Sequence, residues 1–320
     1  MELWQLQQLQ GLPLEIKIKK TELRIREWYE HWDGDVYISF SGGKDSTVLL
    51  HIARSLYPDM EAVFVDTGLE YPEIRDFVKT FDNVTWLRPS KTFKQVINEY
   101  GYPIVSKQIA NCVDGARKGQ RSRIDKLKGD LKDKHGNKSI FNHEKWKFLY
   151  DAPFKISDKC CDVMKKQPIH KYEKESGKKS FIGMLAEESF LRKNNWLKNG
   201  CNAFNSKRPT SNPLSFWTEQ DILQYILQND LKIADCYGEI VKVDKRFRLI
   251  EHADNVDKLT TTKCKRTGCM FCMFGAHLEQ EPNRFQMMKE THPKIWDYCI
   301  REENGLGIGK VLDFIDVKYE

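Results

Sequence analysis

The feature that most constrains the fold is a glycine-rich turn between a short β-rich run and a run with helical periodicity. Residues 35–40 read DVYISF, residues 41–46 read SGGKDS and residues 47–56 read TVLLHIARSL. Two more strand–helix pairs follow, EAVFVDTG before YPEIRDFVKTF and NVTWLRP before TFKQVINEYG. Strands that alternate with helices predict an α/β protein with a doubly wound, mostly parallel sheet flanked by helices.

The glycine-rich turn has the composition of a phosphate-binding loop. Gly42 and Gly43 let the backbone turn tightly, so that successive N–H groups can point at an anion. The following helix adds its positive N-terminal end, Lys44 adds a cation, and Asp45 is a candidate Mg²⁺ ligand. The spacing differs from the Walker motif, and the alternative interpretation is an ordinary glycine-rich turn. The predicted phosphate ligands are Ser41, Gly42, Gly43, Lys44, Asp45 and Ser46.

The SGGKDS loop resembles the PP-loop of N-type ATP pyrophosphatases and adenine nucleotide alpha-hydrolases. VDTGLEYPE (65–73) resembles the second-strand motif of the phosphoadenosine phosphosulfate (PAPS) reductase family. Four further motifs follow in that family's order: GYP (101–103), KCCDVMKKQP (159–168), G-x-x-x-x-E-S-x-x-R from Gly183 to Arg192, and PLSFWTEQDILQYI (213–226). The resemblance covers residues 34–230 and implies an adenine nucleotide alpha-hydrolase-like fold. The whole chain is also similar to PAPS-reductase-like proteins of phages and mobile elements.

This resemblance implies an ATP-binding or adenylyl-sulfate-binding enzyme of sulfur transfer or sulfonucleotide metabolism, with Mg²⁺ accompanying ATP. Catalytic roles would fall to Lys44, Asp45 and Arg192, with Arg192 as the oxyanion clamp. The remaining implied nucleotide ligands lie after the second strand and in the G-x-x-x-x-E-S-x-x-R motif. They are Asp66, Thr67, Gly68, Glu188 and Ser189.

Two departures from the family pattern bear on the reaction. Sulfonucleotide reductases attack sulfur with a cysteine in a C-terminal Glu-Cys-Gly-(Leu or Ile)-His segment, and GLGIGKVLDFIDVKYE contains no such cysteine. Leu185 stands where the family motif has an arginine. We therefore expect ATP-driven activation of a substrate for sulfur insertion more than thiol-dependent reduction. The alternative is a nucleotide-binding regulatory or defence protein, with a structural metal site and a nucleic-acid association.

Five of the nine cysteines occur in two groups. Cys160 and Cys161 are adjacent, and Cys264, Cys269 and Cys272 form a Cys-x4-Cys-x2-Cys pattern. In the iron–sulfur branch of the family, a Cys-Cys pair and a distant Cys-x-x-Cys bind one 4Fe-4S cluster. Structural Zn²⁺ and bare redox thiols remain alternatives, and five sulfurs for four positions leave one spare. We expect the isolated cysteines to be buried, and these are Cys112, Cys201, Cys236 and Cys299.

Composition suits a globular protein with an anionic ligand. Hydrophobic residues make up 40% of the chain, and the net charge is +6. No apolar run approaches the ~20 residues that span a bilayer, and MELWQLQQLQ lacks the basic start and apolar stretch of a signal peptide. We therefore expect a cytoplasmic protein without a membrane partner, in a compartment where disulfides are rare.

Changes in composition predict three regions. Residues 1–33 form an N-terminal helical segment, 34–230 the nucleotide-binding domain, and 231–320 a helical region that contains the cysteine loop. The insertion at 105–139 is polar and basic. It is interpreted as a solvated helix face or, over residues 117–139, as a contact with a nucleic-acid backbone. The sequence leaves open whether identical chains form a homo-oligomer.

Overall fold

The computed structural model describes residues 1–244 and 258–320. In chain order the α-helices are α1 (Leu3–Gln10), α2 (Leu14–His31), α3 (Lys44–Leu56), α4 (Pro72–Lys79), α5 (Phe93–Glu99), α6 (Lys107–Arg117), α7 (Arg121–Lys128), α8 (Gln167–Ser176), α9 (Phe190–Asn199), α10 (Glu219–Gln228), α11 (Arg284–Thr291), α12 (Pro293–Ile300) and α13 (Ile308–Phe314). The strands are β1 (Val36–Ser39), β2 (Ala62–Val65), β3 (Val84–Leu87), β4 (Ile104–Val105), β5 (Lys179–Ile182), β6 (Asn202–Ala203), β7 (Thr210–Ser211), β8 (Ile240–Val243), β9 (Lys258–Thr261) and β10 (Met273–Phe274).

A six-stranded sheet in the order β3-β2-β1-β5-β7-β6 is parallel except at β6, which runs antiparallel to β7. The chain adds β2 and β3 on one side of β1 and then crosses to add β5 on the other, with Ser39 opposite Ile182. Such a switch point opens a crevice at the carboxyl ends of the two strands. The predicted fold class, a mostly parallel sheet flanked by helices with a helical C-terminal region, is confirmed, and that region ends in the three helices α11, α12 and α13.

The chain divides into two compact units made of non-contiguous segments. One, the sheet unit, comprises Met1–Asp66, Glu70–Leu87 and Ile169–Thr267. The other, the cysteine unit, comprises Thr67–Leu69, Arg88–Pro168 and Gly268–Glu320. The division into regions 1–33, 34–230 and 231–320 is based on changes in composition along the chain, and it stays a prediction.

The sheet unit is held by a buried contact between α2 and the start of α10. Lys17 on α2 is 2% exposed and its ammonium lies 2.6 Å from Asp221. The same carboxylate accepts hydrogen bonds from the N–H and hydroxyl of Thr218, which caps α10. Trp217 donates to Thr21 at 2.9 Å. A buried lysine needs such a partner, so the TEQD segment is tied firmly to α2.

In the cysteine unit, the basic insertion contains the helices α6 and α7. Its first arginine, Arg117, is hydrogen-bonded within the protein. The guanidinium of Arg117 donates to four backbone oxygens at 2.7–2.9 Å, those of Leu149, Tyr150, Ala152 and Phe154. Lys118 beside it pairs with Asp114 on the same helix. Arg117 therefore has a structural role, and the nucleic-acid hypothesis remains a prediction.

Within residues 1–244 and 258–320, no helix combines the length and the apolar character that crossing a bilayer requires.

Candidate phosphate site and cysteine cluster

The SGGKDS loop lies in the sheet unit, directly after β1 at the switch point. Gly42 has φ of +69°, in the left-handed region that favours glycine. A Cβ at this position would lie 2.8 Å from the Cγ2 atoms of both Ile74 and Val78 on α4. Glycine is thus required both by the backbone conformation and by the close approach of α4, which holds the loop against the start of α3.

Three hydroxyls accept hydrogen bonds from the loop's N–H groups. Ser46 Oγ accepts from the N–H of Ser41 at 3.3 Å, and Ser41 Oγ accepts from the N–H of Gly43 at 3.3 Å. The hydroxyl of Tyr237 accepts from the N–H of Lys44 at 3.2 Å. Buried donors of this kind need an acceptor, and these hydroxyls fix the directions of the amides.

The strand next to β1 reaches the same place. Gly183 follows β5, and a Cβ there would lie 3.0 Å from the Cα and the N of Ser46. The backbone after β5 therefore runs directly against the first turn of α3. This close approach explains why the G-x-x-x-x-E-S-x-x-R motif begins with glycine.

The Lys44 side chain is buried, at 6% exposed, and the Asp45 side chain is partly buried, at 24% exposed. The Lys44 ammonium donates to the backbone oxygen of Lys265 at 3.1 Å and lies 3.1 Å from a carboxylate oxygen of Glu219. Asp45 Oδ1 is buried, lies 4.0 Å from that ammonium, and has no hydrogen-bond partner within residues 1–244 and 258–320. Burial raises the pKa of Asp45, an effect that Lys44 opposes. A cation supplied with a ligand would satisfy this carboxylate, so Asp45 fits a Mg²⁺ ligand.

Two arginines share one carboxylate at the edge of the site. Glu188 pairs with Arg192 on α9 and with Arg266. Burial lowers the pKa of the Arg192 guanidinium, and the charge of Arg266 lowers it further. An anion placed between the two guanidiniums would relieve this repulsion. Ser189 caps α9, its hydroxyl accepting from the N–H of Arg192 at 3.3 Å.

The residues after β2 are partly engaged already. Asp66 in the sheet unit is 6% exposed and accepts a hydrogen bond from Arg75 at 2.9 Å. Thr67, which belongs to the cysteine unit, is also buried, and its hydroxyl accepts from the N–H of Leu69 at 3.2 Å. Gly68 has φ of +72° and open space where a Cβ would stand. Their contact with a nucleotide remains a prediction.

Sequence reasoning missed several residues that contact the loop or its direct neighbours Glu188 and Tyr237. They are Glu219, Tyr237, Lys265, Arg266 and Thr267. Three of them lie in the basic CKRTG stretch, which the sequence linked to the cysteine sulfurs alone. A basic stretch in a chain with a phosphate loop was the available signal for these. Tyr237 follows no recognisable pattern.

Four of the predicted metal ligands lie together in the cysteine unit. Burial raises the pKa of the Cys160 thiol, and the neighbouring thiols of Cys161, Cys269 and Cys272 raise it further. Cys269 and Cys272 are joined by a turn in which the N–H of Cys272 donates to the oxygen of Cys269 at 3.0 Å. A π-helix, Asp162–Lys166, follows Cys161 directly, and such segments are frequent at functional sites.

The donor set fits a group that stabilises thiolates. Burial raises the pKa of the Cys272 thiol as well, while Lys165 opposes the shift at both Cys160 and Cys272, and Arg284 opposes it at Cys272. Arg284 also donates to the backbone oxygen of Cys272 at 2.8 Å. Among the described residues, no group of three or more His, Cys, Asp or Glu side chains is arranged so that it could hold a single metal ion. An iron–sulfur cluster distributes its cysteine ligands over several irons.

The fifth candidate, Cys264, belongs to the sheet unit. Its N–H donates to the oxygen of Cys236 at 3.1 Å, and its thiol donates to the oxygen of Arg266 at 2.7 Å. Burial, aided by the Cys264 thiol, raises the pKa of Cys236 to about 12. The role of Cys264 as a metal ligand remains a prediction. Burial of the other cysteines is confirmed, at exposures of 0–8% for Cys112, Cys201, Cys236 and Cys299.

Comparison with known proteins gives one family over most of the chain. The sequence profile of the phosphoadenosine phosphosulfate reductase domain matches residues 35–114 and 116–274. An uncharacterized protein of Methanocaldococcus jannaschii is 25% identical over 291 residues, which is 88% of this chain and 51% of that protein. A second from the same organism is 24% identical, covering 85% of this chain and 42% of its own length. The chain thus spans about half the length of these two relatives.

An adenosine 5'-phosphosulfate reductase of Anoxybacillus flavithermus is 25% identical over 232 residues, or 72% of this chain and 79% of that enzyme. Among solved structures, a phosphoadenylyl-sulfate reductase of Candida auris in a phosphate complex aligns with a TM-score of 0.37 and 15% identity. That alignment covers 73% of this chain and 90% of the other.

Proposed function

This chain belongs to the phosphoadenosine phosphosulfate reductase family, and on that premise we propose that it is an enzyme that holds an adenine nucleotide by its phosphates at the SGGKDS loop. The nucleotide is ATP or an adenylyl sulfate. The observation that carries the proposal is a glycine-rich loop at the N-terminus of α3, whose backbone is fixed by three hydroxyls and which carries the buried ammonium of Lys44. A helix N-terminus with a cation beside it is suited to phosphate oxygens.

The charges around the loop suit a reaction at phosphorus or sulfur. Lys44 would neutralise negative charge on the phosphates, and Asp45 would hold the Mg²⁺ that accompanies ATP. Arg192 and Arg266 would bind a terminal phosphate or sulfate in exchange for Glu188. Catalysis then consists mainly of positioning and electrostatic stabilisation of the charge that develops as the bond breaks.

The cysteine cluster completes the proposal. Cys160, Cys161, Cys269 and Cys272 would hold a 4Fe-4S cluster, with Lys165 and Arg284 offsetting the negative charge of their thiolates. A bound cluster supplies a site for electron storage or a rigid cross-link between two distant chain segments. Zn²⁺ on the same thiols is the alternative, and iron, sulfide and zinc analysis of anaerobically purified protein distinguishes the two.

Turnover assays test the enzymatic proposal and separate its two branches. The protein is incubated with ATP, with adenosine phosphosulfate and with PAPS, in each case with a thiol reductant. AMP and pyrophosphate from ATP support substrate activation for sulfur insertion. Sulfite from either adenylyl sulfate supports reduction, in which two thiols supply the electrons. Nucleotide binding without any turnover would contradict an enzyme and favour a regulatory nucleotide-binding protein.

A further inference from the structure

Tyr237 occupies a special position at the start of α3. It ends a short 3₁₀ helix, Asp235–Tyr237, and only 2% of its surface is exposed. Its hydroxyl accepts the N–H of Lys44 and lies 2.7 Å from the hydroxyl of Thr267. The Lys44 ammonium lies 5.8 Å from the centre of the Tyr237 ring. One side chain thus contacts both the backbone and the charged end of the loop lysine.

The stretch 263–267 holds the tyrosine in place, and we refer to it as the strap. The N–H of Lys263 donates to the backbone oxygen of Tyr237 at 3.1 Å. Farther along the strap, the oxygen of Lys265 accepts from the Lys44 ammonium, and Arg266 pairs with Glu188. The hydroxyls of Tyr237 and Thr267 would each lie 3.3 Å from a Cβ on Gly43. The strap therefore meets the loop at Lys265 and Thr267.

The N–H of Lys44 is one of the first donors of α3, and such donors have no acceptor within their own helix. A buried N–H of this kind costs stability when it has no hydrogen-bond acceptor. Burial raises the pKa of Tyr237, so its oxygen keeps its proton at neutral pH. A neutral hydroxyl can accept from the Lys44 N–H while its own proton goes to Thr267.

We propose that Tyr237, oriented by Thr267, is a positioning residue: by accepting the Lys44 N–H it fixes the backbone at the start of α3, and it so keeps the ammonium of Lys44 in place for the phosphates of the nucleotide. The inference rests on the proposed function, since it takes the SGGKDS loop as the phosphate site. Neither residue lies in the motifs on which the family resemblance rests, the last of which ends at residue 226. The pair adds a hydroxyl contact that is contributed by a segment about 190 residues after the loop.

Three variants test the proposal. Tyr237→Phe removes only the hydroxyl, Thr267→Val removes the orienting hydroxyl at nearly constant shape, and Thr267→Ser retains it as the matched control. The first readout is the affinity for ATP and PAPS. Losing one hydrogen bond to the loop predicts about 5- to 10-fold weaker binding for Tyr237→Phe. Thr267→Val should be several-fold weaker than the parent, and Thr267→Ser close to it.

The second readout needs no nucleotide. Hydrogen–deuterium exchange of the Lys44 amide in the unliganded protein should accelerate in Tyr237→Phe and Thr267→Val, and stay at the parental rate in Thr267→Ser. Parental exchange and affinity in Tyr237→Phe would overturn the positioning role while leaving phosphate binding intact. If the parent binds no nucleotide, the proposed function fails, and the exchange rates still decide whether Tyr237 positions the Lys44 amide.

Discussion

The ammonium nitrogen of Lys44 lies 3.1 Å from a carboxylate oxygen of Glu219, the first residue of α10. The lysine is 6% exposed at its side chain and the glutamate 48% exposed. The phosphates of a nucleotide must therefore compete with this carboxylate for the ammonium.

Replacing Glu219 by Gln should tighten ATP binding, because it removes a negative charge that competes with phosphate. We expect a gain of about 3- to 10-fold at low salt, as for one partly screened charge pair. Isothermal titration calorimetry measures it, with Glu175→Gln on α8 as an exposed control that stays at the parental affinity. Weaker binding in Glu219→Gln would mean that the carboxylate helps to hold the nucleotide or its metal.

The raised pKa of Asp45 predicts a pH-dependent stability. Because the folded protein holds this proton more tightly than the unfolded chain, the stabilisation is complete below the ordinary carboxyl pKa and is lost as pH rises through the raised value. Asp45→Asn should therefore raise Tm at neutral pH, and the gain should vanish near pH ~4. Thermal scans across this range measure it. A Tm below the parental value at neutral pH would contradict the account.

The same substitution should abolish any Mg²⁺ dependence of ATP binding, because an amide is a poorer ligand for this cation than a carboxylate. Asp76→Asn on α4, whose carboxylate is solvent-exposed and pairs with Lys79, serves as the control. It should retain both the parental Mg²⁺ dependence and the absence of a neutral-pH stability gain.

The interactions among the thiols of Cys160, Cys161, Cys269 and Cys272 predict which cysteines hold a cluster. Cys272→Ser should lose most of the iron and sulfide of the anaerobically purified protein, together with its absorbance near ~410 nm. Cys264→Ser, a change in the same CKRTGCMFC stretch, should retain them, because the Cys264 thiol donates to the backbone oxygen of Arg266 and interacts with Cys236. Equal loss in both variants would make Cys264 a ligand. Stoichiometric zinc without iron would replace the cluster by a zinc site.

Although the sequence context of Arg117 is that of a surface charge, its replacement should lower the free energy of unfolding substantially. Arg117→Ala removes the donor to four backbone oxygens at once. Losing the guanidinium that donates to these oxygens should cost about 1–3 kcal/mol in free energy of unfolding. Denaturant titration measures this, with Lys118→Ala as the neighbouring control, expected within about 0.5 kcal/mol of the parent. If Arg117→Ala and Lys118→Ala changed the free energy of unfolding equally, the structural role of Arg117 would be contradicted.

The fold class could be predicted from sequence because its signals are local. The β1–SGGKDS–α3 sequence couples strand periodicity, glycine conformation and helix periodicity within about twenty residues, and Pro72 marks the start of α4. The cysteines could be divided into grouped and isolated ones for the same reason: spacing separates Cys160 and Cys161 from the isolated Cys112.

Contacts made across long sequence separations could not be predicted. Tyr237 reaches Lys44 through tertiary packing, and neither its neighbours nor its spacing sets it apart from a core tyrosine. Arg117 lies in a run of basic residues that is typical of a solvated face, and its true acceptors are carbonyls more than thirty residues later. A basic side chain signals charge in a sequence, but its acceptor is known only from the fold.

The central claim is that the SGGKDS loop binds the phosphates of an adenine nucleotide. Calorimetric titration of the anaerobically prepared protein with PAPS, ATP and adenosine tests it most directly, with Lys44→Ala measured beside the parent. The account predicts that PAPS or ATP binds at least about tenfold more tightly than adenosine, with an affinity that falls as salt rises and that drops in Lys44→Ala. Equal affinity for adenosine, or an unchanged affinity in Lys44→Ala, would contradict it.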